Sequence, residues 1–137
     1  MTDLLLAALG GACGAVARWR VDLWVAFRWT AARGVARIPL ATLVVNVSGS
    51  FSLGLLVGWL GVADGAGWLL PLLATGFLGA YTTFSTWMFE AVRLLQRGAT
   101  RAALVYLTLT VGLGVGAAGL GVLAGAVLAG PGTWPVP

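Results

Sequence analysis

Apolar residues run along this chain in four long stretches, separated by short arginine-, proline- or glycine-containing segments. They cover approximately 4–27, 39–62, 68–95 and 102–128. Crossing about 30 Å of hydrocarbon at about 1.5 Å per residue takes about 20 residues. Each stretch meets that length, so the pattern predicts a single all-α membrane domain over 1–130 with four transmembrane helices. Residues 131–137, with three prolines, are expected to form an irregular tail. In the first stretch Arg18, Arg20 and Asp22 interrupt the apolar run and confine its hydrocarbon part to about 4–19. Pro39 opens the second, as proline suits a first helical turn.

The third stretch departs from a simple helix. Its middle reads Thr75-Gly76-Phe77-Leu78-Gly79-Ala80-Tyr81-Thr82-Thr83-Phe84-Ser85-Thr86. Glycines and hydroxyl residues at this density weaken a helix. Non-helical backbone at membrane depth survives only where it is buried in protein or lines a cavity. A break near 79–83 is therefore expected. Pairs such as Gly10/Gly14, Gly54/Gly58, Gly112/Gly116 and Gly121/Gly125 have the small-xxx-small spacing that lets helix backbones approach closely.

Composition supports the membrane assignment and narrows the chemistry. The 137 residues are 60% hydrophobic and 9% charged, with a mean hydropathy of +0.99. A soluble domain carries about 25% charged residues. There is no histidine, a single cysteine (Cys13), and only Asp3, Asp22, Asp64 and Glu90 as acids. Histidine catalysis, zinc sites and carboxylate clusters for divalent metals are thereby excluded within one chain. Glu90 and Arg93 share a helix face and are expected to form a structural ion pair.

All 8 basic residues are arginines, and they fall on one side of the expected topology. Arg18, Arg20, Arg28, Arg33 and Arg37 lie at or in the first loop, 28–38. Arg93, Arg97 and Arg101 lie around the third, 96–101. The positive-inside rule makes both loops cytoplasmic and both termini external. The basic balance is read as membrane orientation, and no nucleic-acid partner is implied. Trp24 and Trp29 suit one interface, and Trp59, Trp68 and Trp134 the other; Trp87 falls too deep for either.

Buried polar groups in hydrocarbon need partners or a purpose. Asn46 offers an amide in the middle of the second stretch. The expected break frees main-chain carbonyls, and unwound carbonyls can coordinate sodium. The hydroxyls of Thr82, Thr83, Ser85 and Thr86 and the ring edge of Phe84 are candidate donors to an anion.

Three segments together resemble the Fluc (CrcB) family of bacterial fluoride channels. They are Gly10-Gly11-Ala12-Cys13-Gly14-Ala15-Val16-Ala17-Arg18-Trp19, Thr42-Leu43-Val44-Val45-Asn46-Val47-Ser48-Gly49-Ser50-Phe51, and Gly76-Phe77-Leu78-Gly79-Ala80-Tyr81-Thr82-Thr83-Phe84-Ser85-Thr86-Trp87. The resemblance extends over the whole chain in length, span number and motif order. It implies a multi-pass subunit of the bacterial cell membrane that pairs antiparallel, with two pores along the subunit interface and passive fluoride efflux. It also implies one structural sodium ion, held by the backbone oxygens of Gly79 and Thr82 from each subunit. Asn46, Thr83, Phe84, Ser85 and Trp87 would line the fluoride path. Tyr106 and Thr110 would form a polar track in the fourth span, and Arg18 would stand in the cytoplasm-side vestibule.

The chain departs from that pattern at three positions. Trp87 stands where a second phenylalanine is usual, Ala80 where a second glycine is usual, and Gly114 where a further hydroxyl is expected. The one-sided arginines add a constraint of their own. A homodimer built antiparallel needs nearly balanced loop charge, so this chain is expected to insert one way and to pair with a related subunit of opposite orientation. Two other readings stand beside the channel. A small four-span multidrug exporter needs a membrane-embedded carboxylate, which the first span lacks before Asp22. A non-transporting assembly protein would leave the 79–83 cluster and Asn46 without a purpose.

Overall fold

A computed structural model of the chain describes residues 1–29, 38–60 and 67–130. The expected features at Arg33, Arg37, Asp64, Trp134 and the 131–137 tail lie outside the described residues, as does the side chain of Trp29. The order of elements is α1 (Thr2–Trp29), α2 (Leu40–Leu60), α3 (Leu70–Leu78), α4 (Gly79–Tyr81), α5 (Ser85–Gln96) and α6 (Thr100–Ala129). There is no strand among the described residues. The all-helical class predicted from the hydrophobic pattern is thus observed.

The local chemistry accounts for the ends of these elements. α1 continues unbroken through Arg18, Arg20 and Asp22 for 28 residues, about 42 Å at 1.5 Å per residue. Arginine is a good helix former, so the charges mark depth without stopping the helix. Pro39 precedes α2, and its carbonyl accepts the Leu43 N–H at 3.4 Å. α3 carries proline at its first turn and is wound as a π-helix, a rare form that recurs at functional sites. α5 ends at Gly98, whose φ of 72° is left-handed. There Gly98 N–H bonds Leu95 O and Ala99 N–H bonds Leu94 O, both at 2.9 Å. This is the Schellman pairing that closes a helix end on glycine.

Helix α2 packs chiefly on α6, and α1 on α3 and α4. Both contacts rest on glycines set against carbonyls. A Cβ at Gly54 or Gly58 would strike the Ala118 or Val122 carbonyl of α6. A Cβ at Gly121 or Gly125 would strike the Phe51 or Leu55 carbonyl of α2. On the other side, Gly10 and Gly14 of α1 sit against the carbonyls of Leu72 and Phe77, and Gly76 sits against that of Ala7. This close approach allows dispersion and Cα–H···O contacts along the helix pairs. Gly112, Gly116 and Gly119 instead face open space, so the Gly112/Gly116 pair packs against no helix among the described residues.

A small core of Leu43, Ala91, Leu94, Ala103 and Tyr106 joins α2, α5 and α6. Ile38, Leu40, Ala99 and Ala102 pack around it. The end of the first loop and the third loop therefore meet at one end of the bundle. The outer surface is apolar nearly throughout: Leu4, Leu9 and Val16 on α1 and Val115, Leu120 and Leu123 on α6 are all exposed. Soluble proteins do not tolerate such continuous apolar surface. Thr2–Arg28, Leu40–Leu60 and Thr100–Ala129 are each long and apolar enough to cross a membrane. The third stretch is divided: α3 and α4 are 9 and 3 residues long and α5 is 12. Neither half alone reaches about 20 residues.

We predict that Gly121→Leu drives α6 off α2 and lowers unfolding stability in detergent by about 1–3 kcal/mol. Gly112→Ala, in open space, should leave the same unfolding curve within about 0.5 kcal/mol. Chemical denaturation followed by circular dichroism makes the comparison.

Candidate functional site

The interruption between α4 and α5 spans residues 82–84, at the downstream edge of the 79–83 segment where the sequence places it. Thr82 turns extended, with φ −77° and ψ 161°. Its N–H still bonds Leu78 O at 2.9 Å, and its Oγ1 donates to the same carbonyl at 2.9 Å. Thr83 then leaves the helical path. Its N–H, which an unbroken helix would direct to the Gly79 carbonyl, goes to Asn46 Oδ1 at 2.9 Å. Asn46 Nδ2 returns a bond to Thr83 O at 3.0 Å. One amide thus pairs both main-chain groups of Thr83.

The next turn is rebuilt from side chains. Thr86 N–H, the helical partner of the Thr82 carbonyl, goes instead to Thr83 Oγ1 at 3.2 Å. Thr83 Oγ1 also donates to Thr86 Oγ1 at 3.0 Å and lies 3.4 Å from Ser85 Oγ. α5 resumes with Met88 N–H on Phe84 O at 3.0 Å. The Gly79 and Thr82 carbonyls thus lose their helical donors to the side chains of Asn46 and Thr83, and those of Ala80 and Tyr81 receive no helical N–H either. Arg18 of α1 reaches the Thr82 carbonyl with Nη1 at 3.5 Å. The guanidinium therefore stands at the depth of the interruption. From α2, Ser48 Oγ and Tyr81 Oη hydrogen-bond at 2.9 Å, and Gly49 leaves room for the Thr82 methyl.

An open groove of about 500 Å³ runs beside the interruption. It brings together Asn46, Gly79, Thr82, Thr83, Phe84, Trp87 and Thr110, with Ser50 and Gly114 on its walls. Phe84 is 70% exposed and meets the Trp87 ring edge-on at 5.6 Å. Thr110 Oγ1 donates to Tyr106 O at 2.7 Å. Ser85 is exposed beside Thr83 and does not line the groove.

Tyr106 lies apart from the groove lining, fully buried, with its hydroxyl donating to Glu90 Oε2 at 2.7 Å. The Glu90–Arg93 pairing expected from spacing gives way to this bond, and the Arg93 guanidinium lies over the Phe89 ring at 5.6 Å from its centroid. A carboxylate held by a buried tyrosine next to the core is poorly placed for proton-coupled export. Ser48 and Ser50 stand in the second quoted segment, in which sequence reasoning gave a role only to Asn46. Asn46, Gly49 and Ser50 lie at i, i+3 and i+4, so they share one helix face; that spacing was the signal for a common role.

Fold and site define a helical membrane protein whose third apolar segment is interrupted by a polar turn facing a groove. Residues 5–122 match the family described as CrcB-like protein, Camphor Resistance (CrcB). The chain belongs to that family. It is 45% identical over 125 residues to the fluoride-specific ion channel FluC 1 of Symbiobacterium thermophilum, covering 88% of this chain and 95% of that protein. It is 42% identical over 127 residues to FluC 2 of Bacillus cereus, covering 93% and 100%. It is 46% identical over 117 residues to FluC 1 of Geobacillus kaustophilus, covering 85% and 92%.

Removing the Asn46 amide should strand two main-chain groups of Thr83 at once. Asn46→Ala is expected to lower stability by about 2 kcal/mol. It should also speed hydrogen exchange at the Thr83 amide selectively. An exchange rate at Thr83 equal to that of the unmodified protein would dismiss this role for Asn46.

Proposed function

We propose that the protein is a fluoride-selective ion channel of the bacterial cell membrane, not an enzyme, and that it lets fluoride leave the cell passively. The observation that carries this reading is the Asn46-held interruption beside a groove lined by uncharged polar and aromatic side chains. Membership in a family whose relatives are named fluoride-specific channels supports it. Fluoride holds its hydration water tightly, so a path for it must replace that water without binding too firmly to release the ion. Hydroxyls, an amide, the ring edge of Phe84 and the indole of Trp87 suit that demand better than fixed charge. Thr83 and Thr110 would border the path with hydroxyls bonded within the chain, Ser85 would stand beside it, and Tyr106 would hold Thr110 in place from the core. Arg18, whose guanidinium reaches the Thr82 carbonyl, would raise the positive potential between the cytoplasm-side vestibule and the interruption.

In this reading α3, α4 and α5 together make the third of four crossings. The main-chain oxygens of Gly79 and Thr82 would hold one structural sodium ion, which is not transported. The donor set fits: both are neutral carbonyl oxygens whose helical N–H partners are diverted, and unwound carbonyls suit sodium. The Thr82 oxygen has two lone pairs, of which Arg18 uses one. Two oxygens are too few to enclose the ion, so a second subunit running antiparallel would complete the set. Bound there, sodium would supply fixed positive charge and join the two chains.

The arginines at one end set the orientation, with loops 28–38 and 96–101 cytoplasmic and both termini external. A chain so biased inserts one way, and its antiparallel partner is a related subunit with reversed loop charge. Purified with its accompanying subunit and reconstituted into loaded liposomes, the protein should release fluoride and retain chloride. Equal release of both ions, or of neither, would remove the channel assignment. The chain expressed alone should give no robust fluoride flux. Robust flux from it alone would overturn the partner assignment and leave the channel intact.

A further inference from the structure

The groove beside the interruption is lined by polar side chains, most of which are already committed within the chain. Asn46 is taken by Thr83, Thr82 Oγ1 by the Leu78 carbonyl, Thr83 Oγ1 by Thr86, and Thr110 Oγ1 by the Tyr106 carbonyl. Two groups stand outside this bonding. Trp87 Nε1 is buried with no hydrogen-bond partner. Ser50 Oγ donates to no group among the described residues. Gly114 keeps that hydroxyl uncovered: a Cβ at position 114 would lie 3.4 Å from Ser50 Oγ. Both residues line the same groove.

A buried polar group without a partner is uncommon and calls for a ligand or a cost. The indole N–H is a donor only, so a cation cannot satisfy it; an anion or another acceptor can. The serine hydroxyl can turn its hydrogen towards the same acceptor. Neither group carries charge, so the pair can hold an anion without trapping it. We propose that Trp87 Nε1 and Ser50 Oγ are paired donors of a fluoride subsite in this groove, placing Ser50 and the indole nitrogen, rather than the ring edge at position 87, in contact with the ion. The proposal rests on the fluoride reading above.

The test uses the full chain, with any subunit that accompanies it, carrying 15N-labelled indoles in nanodiscs. Trp87→Phe keeps an aromatic ring, and the resonance it removes identifies Trp87 Nε1–H. Sodium fluoride is expected to move that resonance downfield, whereas sodium chloride at equal concentration is not. Ser50→Ala should shrink the shift. Trp87→Phe and Ser50→Ala should each slow fluoride efflux about tenfold. Fluoride flux with no indole shift would overturn the subsite, and an equal shift with chloride would overturn its assignment to fluoride. An unchanged shift in Ser50→Ala would remove Ser50 from it. An indole shift in a protein that passes no fluoride would leave the subsite standing and sink the channel reading.

Discussion

A main-chain N–H or carbonyl that leaves a helix inside an apolar chain must find another partner, and here Asn46 provides it. Its amide meets both polar groups of Thr83, at 2.9 and 3.0 Å. An α-helix needs no such help, because it satisfies its own backbone. The interruption at residues 82–84 can persist because α2 carries an amide at that height, a serine that meets Tyr81, and a glycine that admits the Thr82 methyl. Thr83 then passes the effect on. Once its N–H is held by Asn46, its hydroxyl takes the N–H of Thr86, and the carbonyls of Gly79 and Thr82 are both parted from their helical donors.

The glycines act earlier in the same chain of causes. Asn46 reaches Thr83 only if α2 and the third segment lie at the right separation, and the segment is positioned from the far side by α1. Gly10 and Gly14 bring α1 onto the carbonyls of α3, and Gly54, Gly58, Gly121 and Gly125 bring α2 and α6 together. A helix pair held apart by side chains has interaxial distances of about 8–10 Å; glycine contacts are closer and less tolerant of displacement. Hydrophobic collapse has little part in this, since lipid tails are as apolar as the buried side chains. Close backbone approach and satisfied polar groups define the arrangement.

Much of this was legible in the sequence. The length and hydropathy of the four apolar stretches gave a helical membrane domain, and the run from Gly76 to Thr86 located the interruption within a few residues. Asn46, Phe84, Trp87 and Thr110 do converge on one groove. Other features needed three dimensions. Glu90 has Arg93 one turn away, yet binds Tyr106 from a different helix; sequence spacing reports neighbours on one helix and is silent about the next. Tyr106 shares a helix face with Thr110, but the burial that takes it from the groove depends on α5. Identical small-xxx-small spacings contact carbonyls at Gly121/Gly125 and open space at Gly112/Gly116. Spacing shows that a helix can approach closely and does not say from which side.

The near-complete internal bonding of the groove bears on how a small anion could pass through it. A wall of free donors would hold fluoride too tightly for release, while a wall without donors could not replace its water. The folded chain already consumes the donors of Thr82, Thr83 and Thr110 and both sides of the Asn46 amide for its own stability. What remains for an ion is small and specific: one indole N–H, one serine hydroxyl and the edge of an exposed phenylalanine. The same hydrogen bonds that make the interruption affordable thereby dilute the groove's attraction for anions. Stability and permeation are set by one network, so a substitution that frees a donor at the interruption should both weaken the fold and deepen the well in which the ion sits.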